Sequence, residues 1–217
     1  MDIVNKEGDK IFALLHKHHK PKIGLDRSTF SVLIGSILSA NARDIECNKV
    51  MRAICPEPSD TPRTFLDKWS PESLYPYIKS VGLGRKKAYY ILNSSKMIVD
   101  RFKGLVPSTR DQLMTLPGVG RKIANIVLNE CYKVSAIAVD THVARLAQRI
   151  GWSGATNRYM IEKDLKRHLK PKWHRDVNRQ LTWLGKNYCK AKVTLCVTCP
   201  ISKHCFSAHK VNNKNNK

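Results

Sequence analysis

The sequence predicts an all-α protein, and the periodicity of its apolar residues is the main reason. Apolar side chains recur at helical spacing along most of the 217 residues, whereas the alternating patterns typical of strands are scarce. The one strand-like run, residues 135–139 (SAIAV), is too short and too isolated to argue for a sheet. Pairs of an N-cap residue and a proline at expected helix starts support the same fold class.

The first two helices are predicted from apolar residues alone. Ile11, Leu14 and Leu15 form an amphipathic turn near the beginning of the chain. Residues 30–38 (FSVLIGSIL) are almost entirely apolar, which predicts a longer helix buried on most of its surface.

Capping residues predict three further helix starts. They are Thr61-Pro62, Ser70-Pro71, and Ser108 with Asp111 three residues further on. The last residues, 207–217, are polar and low in complexity, and this tail is predicted to be disordered.

The charge balance favours a polyanionic partner. Lys and Arg number 39 against 17 Asp and Glu, which gives a formal net charge of +22. Such an excess repels itself unless a polyanion offsets it, and nucleic acid is the commonest polyanion available. A generally lysine-rich proteome is the alternative explanation.

Four cysteines near the end of the chain predict a metal site. They follow the spacing C-x6-C-x2-C-x5-C and are Cys189, Cys196, Cys199 and Cys205. Clustered thiolates need a cation that displaces their protons. Zinc sites usually contain two short cysteine pairs, and this chain has only one, so a 4Fe–4S cluster is favoured and zinc remains the alternative.

The other cysteines and the beginning of the chain indicate an intracellular protein. Cys47, Cys55 and Cys131 bring the total to seven, which reads as a metal site plus reduced thiols rather than a disulfide framework. Residues 1–10 lack the apolar core of a signal peptide, and no apolar run approaches the length of a membrane helix. We expect cytoplasm or nucleoid in a prokaryote and the nucleus in a eukaryote. A monomer is expected, because no heptad repeat is evident.

A short motif occurs twice. Residues 82–88 (GLGRKKA) and 118–124 (GVGRKIA) both place a G-x-G-R-K turn at the start of a helix. Two glycines let backbone amides approach an anion, and the following helix N-terminus adds its positive dipole. In a strongly basic chain, two copies suggest contacts with phosphates.

The second copy completes a helix–hairpin–helix pattern at residues 116–120 (LPGVG). Its turn aims the amides near Gly118 and Gly120 at one DNA phosphate. Arg121 and Lys122 fall in the first helical turn, where the dipole disfavours a protonated amine. Lys122 is therefore either a nucleophile or a phosphate-binding lysine.

Asp140 is the candidate carboxylate. It follows an apolar segment and precedes Thr141 and His142. Capping of the next helix is one explanation. The other is that the carboxylate faces the positive charge that develops on a sugar attacked by a lysine nucleophile.

These motifs together resemble the endonuclease III family of DNA glycosylases. The matching segments occur in the family's order and are followed by the matching cysteine spacing. They are SILSANARD (36–44), SVGLGRKKA (80–88), LPGVGRKIANIVLN (116–129) and VDTHVARL (139–146).

The resemblance implies a fold, a cofactor and a partner. Family members have two helical lobes with a DNA cleft between them, here residues 23–135 and residues 1–22 plus 136–217. The second lobe would carry a structural 4Fe–4S cluster, and the substrate would be double-stranded DNA with damaged bases or abasic sites.

The resemblance also assigns roles to single residues. Lys122 would be the nucleophile and Asp140 the essential carboxylate of a bifunctional glycosylase and AP lyase. Leu83 would wedge into the duplex, although its side chain could equally fold back on the core. Asn41 stands where the family usually has a glutamine that fills the gap left by the flipped base. Further DNA contacts are expected at Gly118, Gly120, Arg121, Lys190 and Lys192. His142 is either another such contact or a structural histidine, and the structural role is favoured.

The expected activity is removal of oxidised pyrimidines of the thymine glycol type, followed by β-elimination. A glycosylase that removes mismatched uracil or thymine is the nearest alternative. A noncatalytic DNA-binding iron–sulfur protein, or a redox sensor, is the alternative from another class. Lys86 is the internal rival of Lys122, because it occupies the same place in the first copy of the motif.

Overall fold

The protein is helical throughout the part that the computed structural model describes, which comprises residues 2–20, 28–40, 42, 44–55, 57 and 59–208. These residues contain no strand, and Cys189 and Thr194 form an isolated antiparallel bridge. The all-α prediction is confirmed. The helices are α1 Asp2–His18, α2 Thr29–Ser39, α3 Asp44–Ile54, α4 Pro62–Lys68, α5 Pro71–Ile78, α6 Gly84–Phe102, α7 Arg110–Met114, α8 Arg121–Cys131, α9 Thr141–Ile150, α10 Arg158–His168, α11 Pro171–His174 and α12 Val177–Asn187, with 3-10 helices at Lys79–Val81 and Ser202–His204.

The chain divides into two compact units. One is Gly24–Val134, and the other combines Met1–Ile23 with Ser135–Lys217. We call them the central unit and the terminal unit. No helix in the described residues is both long enough and apolar enough to cross a membrane.

Local sequence explains where the helices of the central unit begin. Thr61 and Ser70 both form capping boxes, in which the cap hydroxyl accepts from the third backbone N–H and a Thr64 or Ser73 hydroxyl reaches back. Proline follows each cap at the first helical position, as predicted. The predicted cap at Ser108 is wrong, because Thr109 is the extended residue whose hydroxyl accepts from the Gln112 N–H.

The core of the central unit is built on α2 and α6. The predicted apolar run lies within α2, where Phe30, Leu33 and Ile34 are almost fully buried. Helix α2 packs against α3, α6 and α8, and α6 also packs against α4 and α5. Burial of apolar surface on all sides of α2 is what makes it the centre of this unit.

The core of the terminal unit joins the two ends of the chain. Ile11, Phe12 and Leu15 from α1 are fully buried among apolar residues of α9, α10 and α12. The Phe12 ring stacks between Trp152 and Trp173, with centroid distances of 6.2 and 5.4 Å. The contact surface of α1 therefore lies within residues 135–208, far along the chain.

The end of the terminal unit departs from the predicted tail at its first residues. Residues 206–208 are helical, and Ala208 is 2% exposed, so order extends into the range 207–217 that was expected to be disordered. Ala208 is small and apolar, and it lines a cavity beside the cysteines. Residues 209–217 lie outside the described residues.

Helix α6 supports the turn between α7 and α8. The Ser94 hydroxyl donates to the Pro117 carbonyl at 2.9 Å, and the Tyr90 ring packs against the backbone of Gly118. A Cβ atom at Gly118 would lie 2.6 Å from the Tyr90 ring, and this residue has φ +79°. Gly118 is thus required twice, by the close approach and by the left-handed backbone.

We predict that Gly118→Ala lowers the free energy of unfolding by about 2–4 kcal/mol, because a left-handed alanine is strained and the Tyr90 ring must move. Gly120→Ala is the matched control, since Gly120 has φ −91° and open space around its Cα. It should cost at most about 1 kcal/mol, the effect of a weaker N-cap. Chemical denaturation of both variants measures the difference, and equal losses would contradict this account of the turn.

Candidate functional site

The turn between α7 and α8 presents backbone amides at the start of a helix. The Val119 N–H donates to the Leu116 carbonyl at 3.0 Å, which closes the turn, and both side chains are buried. Gly120 caps α8 without contributing a side chain. Gly120 therefore provides no side-chain cap for the start of α8, and a helix start without such a cap is an arrangement that favours an anion.

Arg121 and Lys122 begin α8, and both are half-buried. Within the described residues, the Lys122 amine has no hydrogen-bond or ion-pair partner. The hairpin is stiffened behind it, because Arg110 Nε on α7 donates to the buried Asn125 Oδ1 on α8 at 2.9 Å. A lysine with an unengaged amine on a rigid helix start can act as a nucleophile or bind a phosphate.

The first copy of the motif has a different geometry. Gly82 and Leu83 both adopt left-handed backbone conformations, with φ +67° and +53°, and Leu83 is 65% exposed. Leu83 therefore projects from the surface instead of folding back on the core. Its counterpart in the second copy, Val119, is buried. Lys86 is exposed, and its ammonium lies 5.7 Å from the centroid of the Tyr90 ring.

Asp140 caps α9, as predicted. Its Oδ1 accepts from the Val143 N–H at 2.8 Å. Its Oδ2 accepts from Asn178 Nδ2 at 3.1 Å and from the Thr182 hydroxyl at 3.3 Å, both on α12. Asn178 Nδ2 also donates to the Ala138 carbonyl at 3.0 Å. Capping thus occupies one carboxylate oxygen, and two polar side chains from another helix orient the other.

His142 is the second residue of α9 and packs on α12. Its Nδ1 is 3.1 Å from Arg145 Nη2, and the same ring nitrogen would lie 2.7 Å from a Cβ atom at Gly185. Arg145 also donates to the Cys189 carbonyl at 3.0 Å. The absence of a side chain at Gly185 allows α9 to approach α12 closely. Arg145 on α9 can then hydrogen-bond to the backbone of Cys189, the first of the four cysteines.

The four predicted ligands line one cavity of about 340 Å³ in the terminal unit. Its apolar walls come from α9, α12 and the last segment, and include Leu146, Ile150, Leu184 and Ile201. In the described part of the chain, no group of three or more His, Cys, Asp or Glu side chains is arranged to hold a single metal ion. The four cysteines therefore share one cavity, which is lined mainly by apolar side chains.

The surroundings of two of these thiols disfavour their deprotonation. Burial raises the pKa of Cys199 to about 11, and the charges of the neighbouring cysteines add to the shift. Burial also raises the pKa of Cys205. Thiolate ligation of a metal by these cysteines would release the protons that the free thiols hold.

Arg149 on α9 holds the loop that carries the first of these cysteines. Its guanidinium donates to the Cys189 Sγ at 3.1 Å, to the Lys190 carbonyl at 2.7 Å and to the Ala191 carbonyl at 2.9 Å. Lys190 and Lys192 are exposed on this loop. Their backbone is therefore anchored, and their ammonium groups make no hydrogen bond or ion pair within the described residues.

Sequence reasoning missed the residues that orient the site. Asn178 and Thr182 lie four residues apart on one face of α12, but nothing in that spacing indicates which carboxylate they meet. Tyr90, Ser94 and Arg149 were missed for the same reason. Asn41 lies outside the described residues.

Comparison with known proteins agrees with these observations. Residues 34–171 match the family described as "HhH-GPD superfamily base excision DNA repair protein". Endonuclease III of Rickettsia prowazekii is 36% identical over 91% of this chain and 93% of its own length. Endonuclease III of Thermotoga maritima is 37% identical over 85% of this chain and 86% of its own length.

A solved structure of a trapped covalent intermediate of endonuclease III with DNA, an estranged-adenine complex, is also similar. It superposes with a TM-score of 0.81 at 33% identity, over 95% of this chain and 98% of that chain. The family match extends over more than half of the chain, and the relatives align along nearly all of it. The chain therefore belongs to the endonuclease III family within the HhH-GPD superfamily of base excision DNA repair proteins.

Proposed function

We propose that this base excision repair DNA glycosylase removes oxidised pyrimidines of the thymine glycol type from duplex DNA and then cleaves the abasic site as a lyase. The observation that carries the proposal is the Lys122 amine, which begins α8 directly after the hairpin and has no partner within the described residues. A phosphate contact alone would also use this amine, but it would not need the oriented carboxylate of Asp140 as well. A similar structure, endonuclease III, has been trapped as a covalent intermediate with DNA.

The proposed reaction begins when the damaged base leaves the stack. The neutral Lys122 amine attacks C1′ of the deoxyribose, the new N–C1′ bond replaces the glycosidic bond, and one amine proton passes to the departing base. The sugar ring then opens as the nitrogen lone pair forms a C1′=N bond and O4′ takes a proton from water, which gives a protonated Schiff base. This makes the C2′ proton acidic, and its removal expels the 3′ phosphate by β-elimination.

Asp140 would stabilise the positive charge that develops on the sugar. Its Oδ2 is held by Asn178 and Thr182, so the carboxylate does not need to reorient during the reaction. The Val143 N–H holds Oδ1 in the same way. A carboxylate that is already oriented by donors costs little reorganisation when a cation forms next to it.

The proposed DNA contacts follow from charge and exposure. The amides at Gly118 and Gly120, together with Arg121, would bind one phosphate of the backbone. The anchored loop with Lys190 and Lys192 would bind another, and His142 is the remaining polar candidate on α9. Leu83 would insert into the duplex, where an exposed apolar side chain can fill a gap in the base stack.

The cysteine cavity would hold a 4Fe–4S cluster through Cys189, Cys196, Cys199 and Cys205. One cavity lined by all four cysteines, and a spacing with only one short cysteine pair, support a cluster over zinc. The cluster would supply a structural cross-link within the terminal unit and no step of the reaction. Arg149 fixes the loop around the first ligand.

The assignment of the nucleophile is tested by borohydride trapping on a duplex that contains thymine glycol. The wild type should give a covalent adduct, and Lys122→Gln should lose it, because glutamine has no nucleophilic amine. The amount of adduct on a denaturing gel is the measurement. Base release should fall with it by about 10³-fold or more.

Lys86→Gln is the matched control, because Lys86 holds the same place in the first copy of the motif. It should retain the adduct. Loss of the adduct in Lys86→Gln with retention in Lys122→Gln would overturn the assignment. The wild type could also release bases only from uracil or thymine mismatches and none from thymine glycol. That result would refute the proposed lesion but not the Schiff-base mechanism.

The cluster is tested with Cys199→Ser. This substitution should lower the iron and acid-labile sulfide content and the visible absorption of the purified protein, because a hydroxyl is a poor ligand for iron. Cys131→Ser is the control, since Cys131 lies in the central unit and does not line the cavity. It should keep full iron content. Zinc without iron in the wild type would contradict the cluster.

A further inference from the structure

Lys87 is a buried lysine at a position where the second copy of the motif has an apolar residue. Lys87 is 4% exposed, and Ile123 in the equivalent place is 7% exposed. An apolar side chain would therefore satisfy the packing requirement there. A buried amine is costly unless its donors are used, so the contacts of Lys87 need an explanation beyond packing.

The amine of Lys87 donates to two helix ends. Its Nζ lies 2.7 Å from the Leu38 carbonyl and 2.8 Å from the Val81 carbonyl. Leu38 belongs to the last turn of α2, and Val81 ends the 3-10 helix. Among the described residues, neither carbonyl accepts a backbone hydrogen bond from beyond its helix. The last turn of α2 contains no basic residue of its own. Lys87 therefore provides the donor that this helix end lacks.

The second of these carbonyls borders the turn that carries Leu83. A left-handed leucine is strained and persists only where its surroundings hold it. The backbone N–H of Lys87 donates to the Leu83 carbonyl at 2.9 Å, while its side chain holds the Val81 carbonyl. Lys87 thus donates hydrogen bonds to the carbonyls of Val81 and Leu83, at the two ends of the turn that contains Gly82.

The two side-chain hydrogen bonds of Lys87 do not require a protonated amine. Burial lowers the pKa of Lys87, and the nearby Cys47 partly opposes this shift. A neutral amine still has two N–H groups, which is the number that the two carbonyls require.

We infer that Lys87 is a positioning residue that fixes Leu83 in the conformation needed to enter the DNA duplex, by fastening the Val81–Gly84 turn to the end of α2. The inference rests on the proposed role of Leu83. Lys87 itself is buried and would not touch DNA. Its effect on the reaction would pass through Leu83.

Lys87→Met tests this, because methionine fills a similar volume without a donor. On a thymine glycol duplex under single-turnover conditions, the rate of adduct formation should fall about tenfold or more, as misplaced groups near a reacting centre cause. Affinity for undamaged duplex should stay within about twofold, because the phosphate contacts are unchanged. A rate equal to that of the wild type would overturn the inference.

A double-mutant cycle with Leu83→Ala separates positioning from general effects. If Lys87 acts through Leu83, then Lys87→Met should slow the Leu83→Ala protein by less than about twofold. Losses that multiply in the double variant would overturn the inference. Lys87→Gln keeps two N–H donors on a shorter side chain and enters the same cycle if Lys87→Met does not fold.

Ser95→Ala controls for stability. Ser95 is fully buried on the same helix, and its hydroxyl donates to the Ile91 carbonyl at 2.8 Å, away from the turn. It should lower the melting temperature while leaving the rate of adduct formation within about twofold. An equal loss of rate in both variants at equal loss of stability would assign Lys87 to folding alone.

Hydrogen exchange distinguishes failure of this inference from failure of the proposed function. Amides of residues 81–84 should exchange faster in Lys87→Met than in Ser95→Ala, with or without DNA. Equal exchange rates in the two variants would show that Lys87 does not stabilise this turn, which would overturn the inference. A wild type that forms no adduct on thymine glycol or abasic duplexes would refute the proposed function, and the exchange result would still decide the structural part.

Discussion

The contact between the Tyr90 ring and the bare backbone of Gly118 determines where the hairpin lies, and Tyr90 belongs to α6. The same helix supports the hairpin again through Ser94 and begins at the turn that exposes Leu83. Between these points α6 is continuous, and Ile91 and Ile98 fix it in the core of the central unit. The two turns that are proposed to meet DNA are therefore spaced by one rigid helix. Their separation cannot change unless α6 itself bends or shifts.

The two copies of the G-x-G-R-K motif show how a similar local sequence acquires different roles. The backbone requirement is shared, since Gly82 and Gly118 are both left-handed. The side chain that follows differs in its surroundings: Val119 is buried in the hairpin, whereas Leu83 is exposed in a strained conformation. Burial makes the second turn a rigid frame for amides. The first turn carries an exposed leucine in a strained conformation, so contacts from outside the turn, such as those of Lys87, must stabilise it.

Capping residues and apolar periodicity predicted most of the helices. The prediction of a helix start was wrong where two neighbouring residues could both act as the cap. The caps at Thr61 and Ser70 and the cap at Asp140 were found because their partners lie within three residues. Ser108 was chosen instead of Thr109 because neighbouring hydroxyls are equally able to cap, and only the backbone conformation decides. Contacts across long separations could not be predicted. The bond from Lys87 to Leu38 joins residues 49 apart, and no periodicity encodes it.

A local hydrogen bond can be predicted from the sequence, whereas one between distant helices cannot. Asp140 makes hydrogen bonds of both kinds. Its capping bond to Val143 follows from its place before α9 and would exist in any helix with this start. Its bonds to Asn178 and Thr182 exist only because α9 packs closely on α12. Capping alone leaves the second oxygen free to hydrogen-bond with water, whereas the two donors hold it in one orientation. A carboxylate with both oxygens held is preorganised for a developing cation, and this distinguishes a candidate catalytic aspartate from an ordinary N-cap.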